Sequence, residues 1–236
     1  MRGDRNERLT ILSAVEKLAL YGLPNFDDFQ RIEFFAMAED VRSFALGRKS
    51  LLAQMYCLLQ IGYFKAKQAF FQFSLDEVSP KDVEFLLLRY FPGQVLTNAP
   101  LHTSEYYAQR KRIAELHGFR IWSDTDLPTL RDKARLLART DVTPTFLLAE
   151  LMVFLIGQRI VRPGYSTLQT VIRDALSTER ARLEKLVEGA MTEAMRETLQ
   201  QLLVPENSLS DLAALKQDAK SFRYRQLGLE RQSVLP

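Results

Sequence analysis

The sequence is short of the residues that carry most enzyme chemistry. It holds a single cysteine, Cys57, and two histidines, His102 and His117, among 236 residues. One cysteine excludes an intrachain disulfide and any Cys-based metal site. Its neighbours Met55, Tyr56, Leu58 and Leu59 predict a buried, inert thiol. The histidines stand too far apart to pair on one helix. Ten glycines and nine prolines are too few for a collagen-like or linker-dominated chain. No glycine-rich phosphate loop and no Gly-x-Ser-x-Gly elbow occurs. Neither sign of charge dominates: 32 Lys and Arg against 29 Asp and Glu leave +3, a balance that permits a nucleic-acid partner without requiring one. Long hydrophobic runs are missing too. The greasiest stretch, residues 144–160, contains Glu150, Gln158 and Arg159 and is short for a bilayer span, so it reads as a buried helix. The charged N-terminus, residues 1–8, leads into no signal-peptide core. The expectations are a cytoplasmic chain with no membrane partner, no cofactor, no metal and no catalytic residue.

What is present is helical periodicity. Apolar residues recur three and four apart throughout, with no alternating strand pattern, which predicts an all-α fold. Ser13 with Glu16 reads as a capping box opening the first helix, stopped by Gly22 and Pro24. Asn25 or Asp27 opens a second, with Phe26, Phe29, Ile32 and Phe35 expected inward. A third runs over residues 39–46 to Gly47, and Ser50 opens a fourth with Gly62 near its end. Ser79-Pro80 opens another, whose inner face is Val83, Leu86, Leu87 and Tyr90. Thr103 or Ser104 caps a helix reaching Leu116, Asp126 and Pro128 start the next, and Thr143-Pro144 starts the apolar one. Ser166 is expected to cap a long helix with an inner stripe of Leu168, Val171, Ile172, Leu176, Leu183, Leu186 and Val187. Ser208 and Asp211 open a last helix. Residues 94–100 lack periodicity and read as a linker. The division is then 9–98, a first helical subdomain; 99–205, a second; and 206–236, a helical tail.

The carboxylate pairs Asp27-Asp28, Glu39-Asp40 and Asp124 with Asp126 all sit at helix starts, where negative charge complements the macrodipole. They read as caps rather than catalysts. Two regions suggest DNA. The first joins the apolar helix to the one after it through Arg159, Arg162, Pro163, Gly164 and Tyr165. Two helices joined by a short Gly-containing turn are the helix-turn-helix unit, whose second helix offers its N-terminal residues to a major groove. Ser166, Thr167, Gln169, Thr170 and Arg173 would lie on that helix, with Ser166 and Gln169 forming a capping box. Gln reads adenine edges and Arg guanine edges, and Arg159 and Arg162 would meet phosphates. An ordinary helical hairpin with solvated polar residues fits the same spacing. The second region is Arg110-Lys111-Arg112 with Arg120 and Trp122, although a charge triplet on a helix is usually a solvated face. Arg48, Lys49, Lys65, Lys67 and Gln68 form a weaker basic cluster.

Several ordered runs carry a resemblance. Residues 9–28, 56–71, 158–169 and 212–220 resemble the N-terminal region of transposases of the Tn-three family, the large enzymes of replicative, cointegrate-forming bacterial transposons. In that family this region is a helical, tandem helix-turn-helix-like module that binds the terminal inverted repeats. The metal-dependent Asp-Asp-Glu nuclease core lies downstream, beyond Pro236. The resemblance therefore implies double-stranded DNA as partner, recognition without strand cleavage, and possible pairing with itself or a full-length transposase. It weakens after Lys220, so either the gene is truncated or the chain is a fragment. Two other readings stay open: a competitive regulator that occupies transposon ends, and a helical interaction scaffold with no DNA role.

Overall fold

The structure is a computed structural model that describes residues 9–96 and 103–202. Among the described residues every named element is helical, and the fold is all-α. The order is α1 (Ala14–Tyr21), α2 (Asp28–Phe34), α3 (Glu39–Leu46), α4 (Leu51–Lys67), α5 (Pro80–Tyr90), α6 (Thr103–Leu116), α7 (Leu127–Ala138), α8 (Pro144–Gly157), α9 (Tyr165–Ala190) and α10 (Glu193–Leu202). The chain divides into two compact units, residues 1–180 and 181–236.

Helix starts follow local chemistry. The Ser13 hydroxyl accepts from Glu16 N at 3.2 Å while Glu16 Oε2 accepts from Ser13 N at 2.8 Å, the reciprocal capping box the spacing predicts. Asp27 and Gln30 repeat it at the head of α2. Ser50 caps α4 by accepting from Ala53 N, and Pro80, Pro128 and Pro144 sit in the first turns of α5, α7 and α8, where a missing N–H costs nothing.

Two cores fill the first unit. In one, α2, α3, α5 and α6 surround α4, which is buried continuously from Met55 to Phe64. A helix wrapped on all sides carries no polar face. Its Cys57 is fully buried, and burial pushes the thiol up to about 12, so it is a thiol and not a nucleophile at neutral pH. The second core joins Leu130, Ala134, Leu147, Leu151, Leu168 and Ile172 from α7, α8 and α9. α6 packs in the first core through Ile113 and Ala114, although it follows the segment expected as a linker. Ile11, with Leu9 and Leu12 beside it, packs in the second although it precedes α1. Residues 97–102 of the linker region lie outside the described residues, as do the expected last helix from Ser208 and everything after residue 202.

Two expectations about helix faces and one about a helix end are corrected. Phe29 is 86% and Ile32 55% exposed; the inward residue of α2 is Arg31, drawn in by Asp82 of α5. Gly62 lies inside α4, which continues to Lys67 and ends on Gln68 in the left-handed region at φ 47°. In the second unit, Leu183, Leu186 and Val187 are exposed, so the α9 stripe is buried at Leu168, Val171 and Ile172 and at Ala175.

Candidate nucleic-acid interface

The basic residues that lie apart in the sequence are drawn together by one backbone contact and one row of rings. Arg120 N donates to Arg159 O and Val161 N to Arg120 O, both at 2.9 Å. This parallel bridge between Arg120 and Ile160 fixes the link after α8 against the end of α6. Arg159 adopts φ 54° to make it, a left-handed conformation uncommon for a residue other than Gly, Asn or Asp. The guanidinium of Arg159 lies 5.4 Å from the Phe119 ring. Phe119 meets Phe64 edge-on at 5.5 Å, and Phe64 stacks on Phe70 at 4.8 Å. Arg110 lies over the Phe70 ring at 5.0 Å and also contacts Tyr106 and Tyr107. His117 joins the row against Phe64 at 5.5 Å. Burial, with Lys65 nearby, lowers the His117 pKa, so it is neutral at pH 7 and serves as a ring. The outcome is an aromatic spine with Arg110 at one end and Arg159 at the other. Lys111, Arg112 and Arg120 are exposed, the first two on the same helix as Arg110.

Several expected DNA contacts are engaged inside the protein. Lys65 Nζ donates to Glu33 O at 2.9 Å and Ala36 O at 2.7 Å, capping the end of α2. Gln68 donates to Lys65 O. Arg48 donates to Phe44 O and lies over the Phe44 ring, while Lys49 beside it is exposed. The Tyr165 hydroxyl accepts from Ile11 N and Leu12 N, both at 3.3 Å. Gln169 Nε2 donates to Leu9 O at 2.5 Å. These contacts tie residues 9–12 to α9 and explain how Ile11 enters the second core.

The expected capping box of Ser166 with Gln169 is therefore corrected. α9 begins at Tyr165, two residues before the start that a Ser166 cap implies; Gly164 O accepts from Thr167 N and Leu168 N, and the Gln169 side chain is spent on Leu9. The link of residues 158–164 is also longer than the roughly three to four residues of a helix-turn-helix turn, because Ile160 is held in the bridge to Arg120. On α9, Ser166, Thr170 and Arg173 are exposed, and Thr167 is half-buried. Arg173 donates to its neighbour Asp174 at 3.0 Å. Trp122, expected beside the basic cluster, is half-buried and packs on the second core.

Arg120 carries a second duty. Its guanidinium forks onto both oxygens of Asp126, with Nη1 to Oδ2 at 2.8 Å. Those hydrogen bonds outweigh burial and, with help from Ser123, hold the Asp126 carboxyl down at about 2. An unfolded Asp titrates near 3.9. As pH falls, the unfolded chain takes up this proton first, so the stabilisation is present above pH ~4 and lost on approach to ~2. We expect Asp126→Asn to be less stable than wild type at neutral pH, with a gap that closes over that window in urea titrations. A gap independent of pH would show that the fork contributes no linkage.

Among the described residues no group of His, Cys, Asp and Glu could hold a metal ion, and no helix is long and apolar enough to cross a membrane. The fold and site define an all-helical protein with a ring-backed basic surface. The chain belongs to the family described as Domain of unknown function (DUF4158), which matches residues 11–175. No curated protein matches it.

Proposed function

We propose that the chain is a double-stranded-DNA-binding module of a Tn-three family transposase, and that it recognises the terminal inverted repeats of a replicative bacterial transposon. In this reading it acts in recognition, and strand cleavage belongs to a separate nuclease core. The family to which the chain belongs is found in transposases of that kind. The observation that carries the reading is the aromatic spine that links Arg110 to Arg159, with exposed Lys111 and Arg112 on the helix that carries Arg110. Positive charge gathered along one surface is rewarded by a polyanion through counterion release. Exposed Thr170 and Arg173 on the opening turns of α9 are the candidate base-reading groups.

The test is a gel shift on transposon-end duplex, with scrambled duplex as control, over a salt series. Each lost phosphate contact removes roughly 0.9 from the slope of log affinity against log salt. Replacing Lys111, Arg112 and Arg159 together by Gln should flatten that slope by about 2–3 and weaken both duplexes alike. Arg110 is left in place because it is packed among Phe70, Tyr106 and Tyr107. Arg173→Ala should instead narrow the preference for transposon-end DNA by about tenfold or more. Equal, salt-insensitive binding to both duplexes by wild type would sink the reading.

A further inference from the structure

A small cavity of about 170 Å³ opens where the end of α4 meets the link after α8. One wall is apolar, from Leu20, Ile156 and Ile160, and the other is cationic, from Lys67 and Arg162; none of the lining residues is acidic. Both cations are half-buried. Burial lowers the pKa of each, and the Arg162 charge lowers Lys67 further. Holding two like charges together in partly dehydrated space is unfavourable unless something negative offsets it.

Backbone carbonyls offset part of it. Lys67 Nζ donates to Ala19 O, and Arg162 Nη2 donates to Leu20 O at 2.6 Å. Both carbonyls lie in the last turn of α1, the negative end of its dipole. Those bonds use one of the three ammonium donors and one of the five guanidinium donors. Arg162 Nε is buried and has no hydrogen-bond partner. The guanidinium lies over the Tyr21 ring at 4.9 Å, which fixes its plane. The result is a preset pair of cations with unspent donors, beside a space large enough for a tetrahedral anion.

We propose that this cavity seats one phosphate group, held by Lys67 and by the unspent donors of Arg162. A planar guanidinium paired with an ammonium point charge is a recurrent way to bind phosphate oxygens. The phosphate can be one of a DNA backbone or a free phosphate ion. As a DNA contact the seat rests on the function proposed above; as an anion site it rests on the cavity alone. Ile160, which lines the cavity, directly follows the exposed Arg159 at the end of the aromatic spine.

The experiment uses the full chain in two arms. In the first, melting temperature is compared in sodium phosphate and sodium chloride at equal ionic strength, for wild type, Lys67→Gln and Arg162→Lys. Phosphate stabilises proteins generally by exclusion from their surfaces, so the site-specific part is the part a variant loses. Wild type should gain about 2–4 °C more than either variant, each measured against its own chloride value. Broadening of the phosphorus resonance of inorganic phosphate by wild type gives a readout that needs no variant. In the second arm, Lys67→Gln should reduce the salt slope for duplex DNA by about 1. A phosphate effect without DNA binding upholds the seat for free phosphate and overturns the DNA reading. DNA binding with an unchanged slope, no line broadening and equal phosphate gains in all three proteins overturns the seat and leaves the DNA reading standing.

Discussion

Asp82→Ala should destabilise the protein by about 3–5 kcal/mol, because it strands a buried guanidinium. Asp82 is fully buried, and the Arg31 side chain is only 6% exposed. Arg31 Nε donates to Asp82 Oδ1 at 2.7 Å and the Tyr63 hydroxyl donates to Oδ2 at 3.1 Å. The rest of the guanidinium is held by Phe26 O at 2.5 Å and by Asp28 at 2.6 Å, but Asp28 is 90% exposed and its attraction is screened by water. The network ties α2, α4 and α5 together at the head of the first core.

The two ends of the pair should not be equivalent. Burial raises the Asp82 pKa, against the opposing hydrogen bonds from Arg31 and Tyr63. Without Arg31, the carboxyl can therefore take up a proton and become neutral. Arginine has no such escape, because it stays protonated throughout the accessible range. Arg31→Met should consequently cost less than Asp82→Ala, and the double change Arg31→Met with Asp82→Leu less than Asp82→Ala alone. Urea unfolding by linear extrapolation measures all three. Equal losses for the two single variants, or a loss below about 1 kcal/mol for Asp82→Ala, would show that the charge is not stranded.

The same pair shows why some of the molecule is legible in the sequence and some is not. Capping boxes such as Ser13 with Glu16 and Asp27 with Gln30 close within three residues, so the spacing determines them. Helix starts at Pro80 and Pro144 are local in the same sense. Which face of α2 turns inward is decided by Asp82, 51 residues further on, and the pattern of Phe29 and Ile32 points the wrong way. The candidate interface divides likewise. The basic and polar residues are visible as clusters, but whether a given side chain is available depends on distant carbonyls. Lys65 is spent on Glu33 and Ala36, and Gln169 on Leu9, 160 residues away. The link from Arg110 to Arg159 was equally hidden, since it runs through Phe70, Phe64 and Phe119. The aromatic run Phe64, Phe70 and Phe71 beside Lys65 and Lys67 was the available hint.

Gly62→Val should destabilise by about 3 kcal/mol or more, and Gly62→Ala by about 1–2, against the ordinary preference for alanine within a helix. A Cβ at Gly62 would lie 2.2 Å from Phe35 Cε1 and 2.4 Å from Cδ1, far inside contact distance. The ring has nowhere to go. Phe35 is fully buried and packs against Phe26 at 5.5 Å, Phe85 at 6.0 Å and Tyr63 at 6.3 Å between centroids. Alanine would gain up to about 1 kcal/mol of helix propensity, but overpacking a close-fitted core typically costs about 1–3 kcal/mol. Valine gains little of that propensity and adds two methyl groups to the clash. The Gly62→Val melting temperature should fall by about 6–12 °C for a chain of this size. Shortening the neighbour separates steric clash from any other defect: Phe35→Leu, costly alone because it leaves a void, should recover part of the loss when combined with Gly62→Ala, a coupling of about 1 kcal/mol or more in a double-mutant cycle. Additive losses, or a Gly62→Ala protein that melts higher than wild type, would mean that α2 and α4 are not in the contact described and that this glycine is not what lets the Phe35 ring lie against α4.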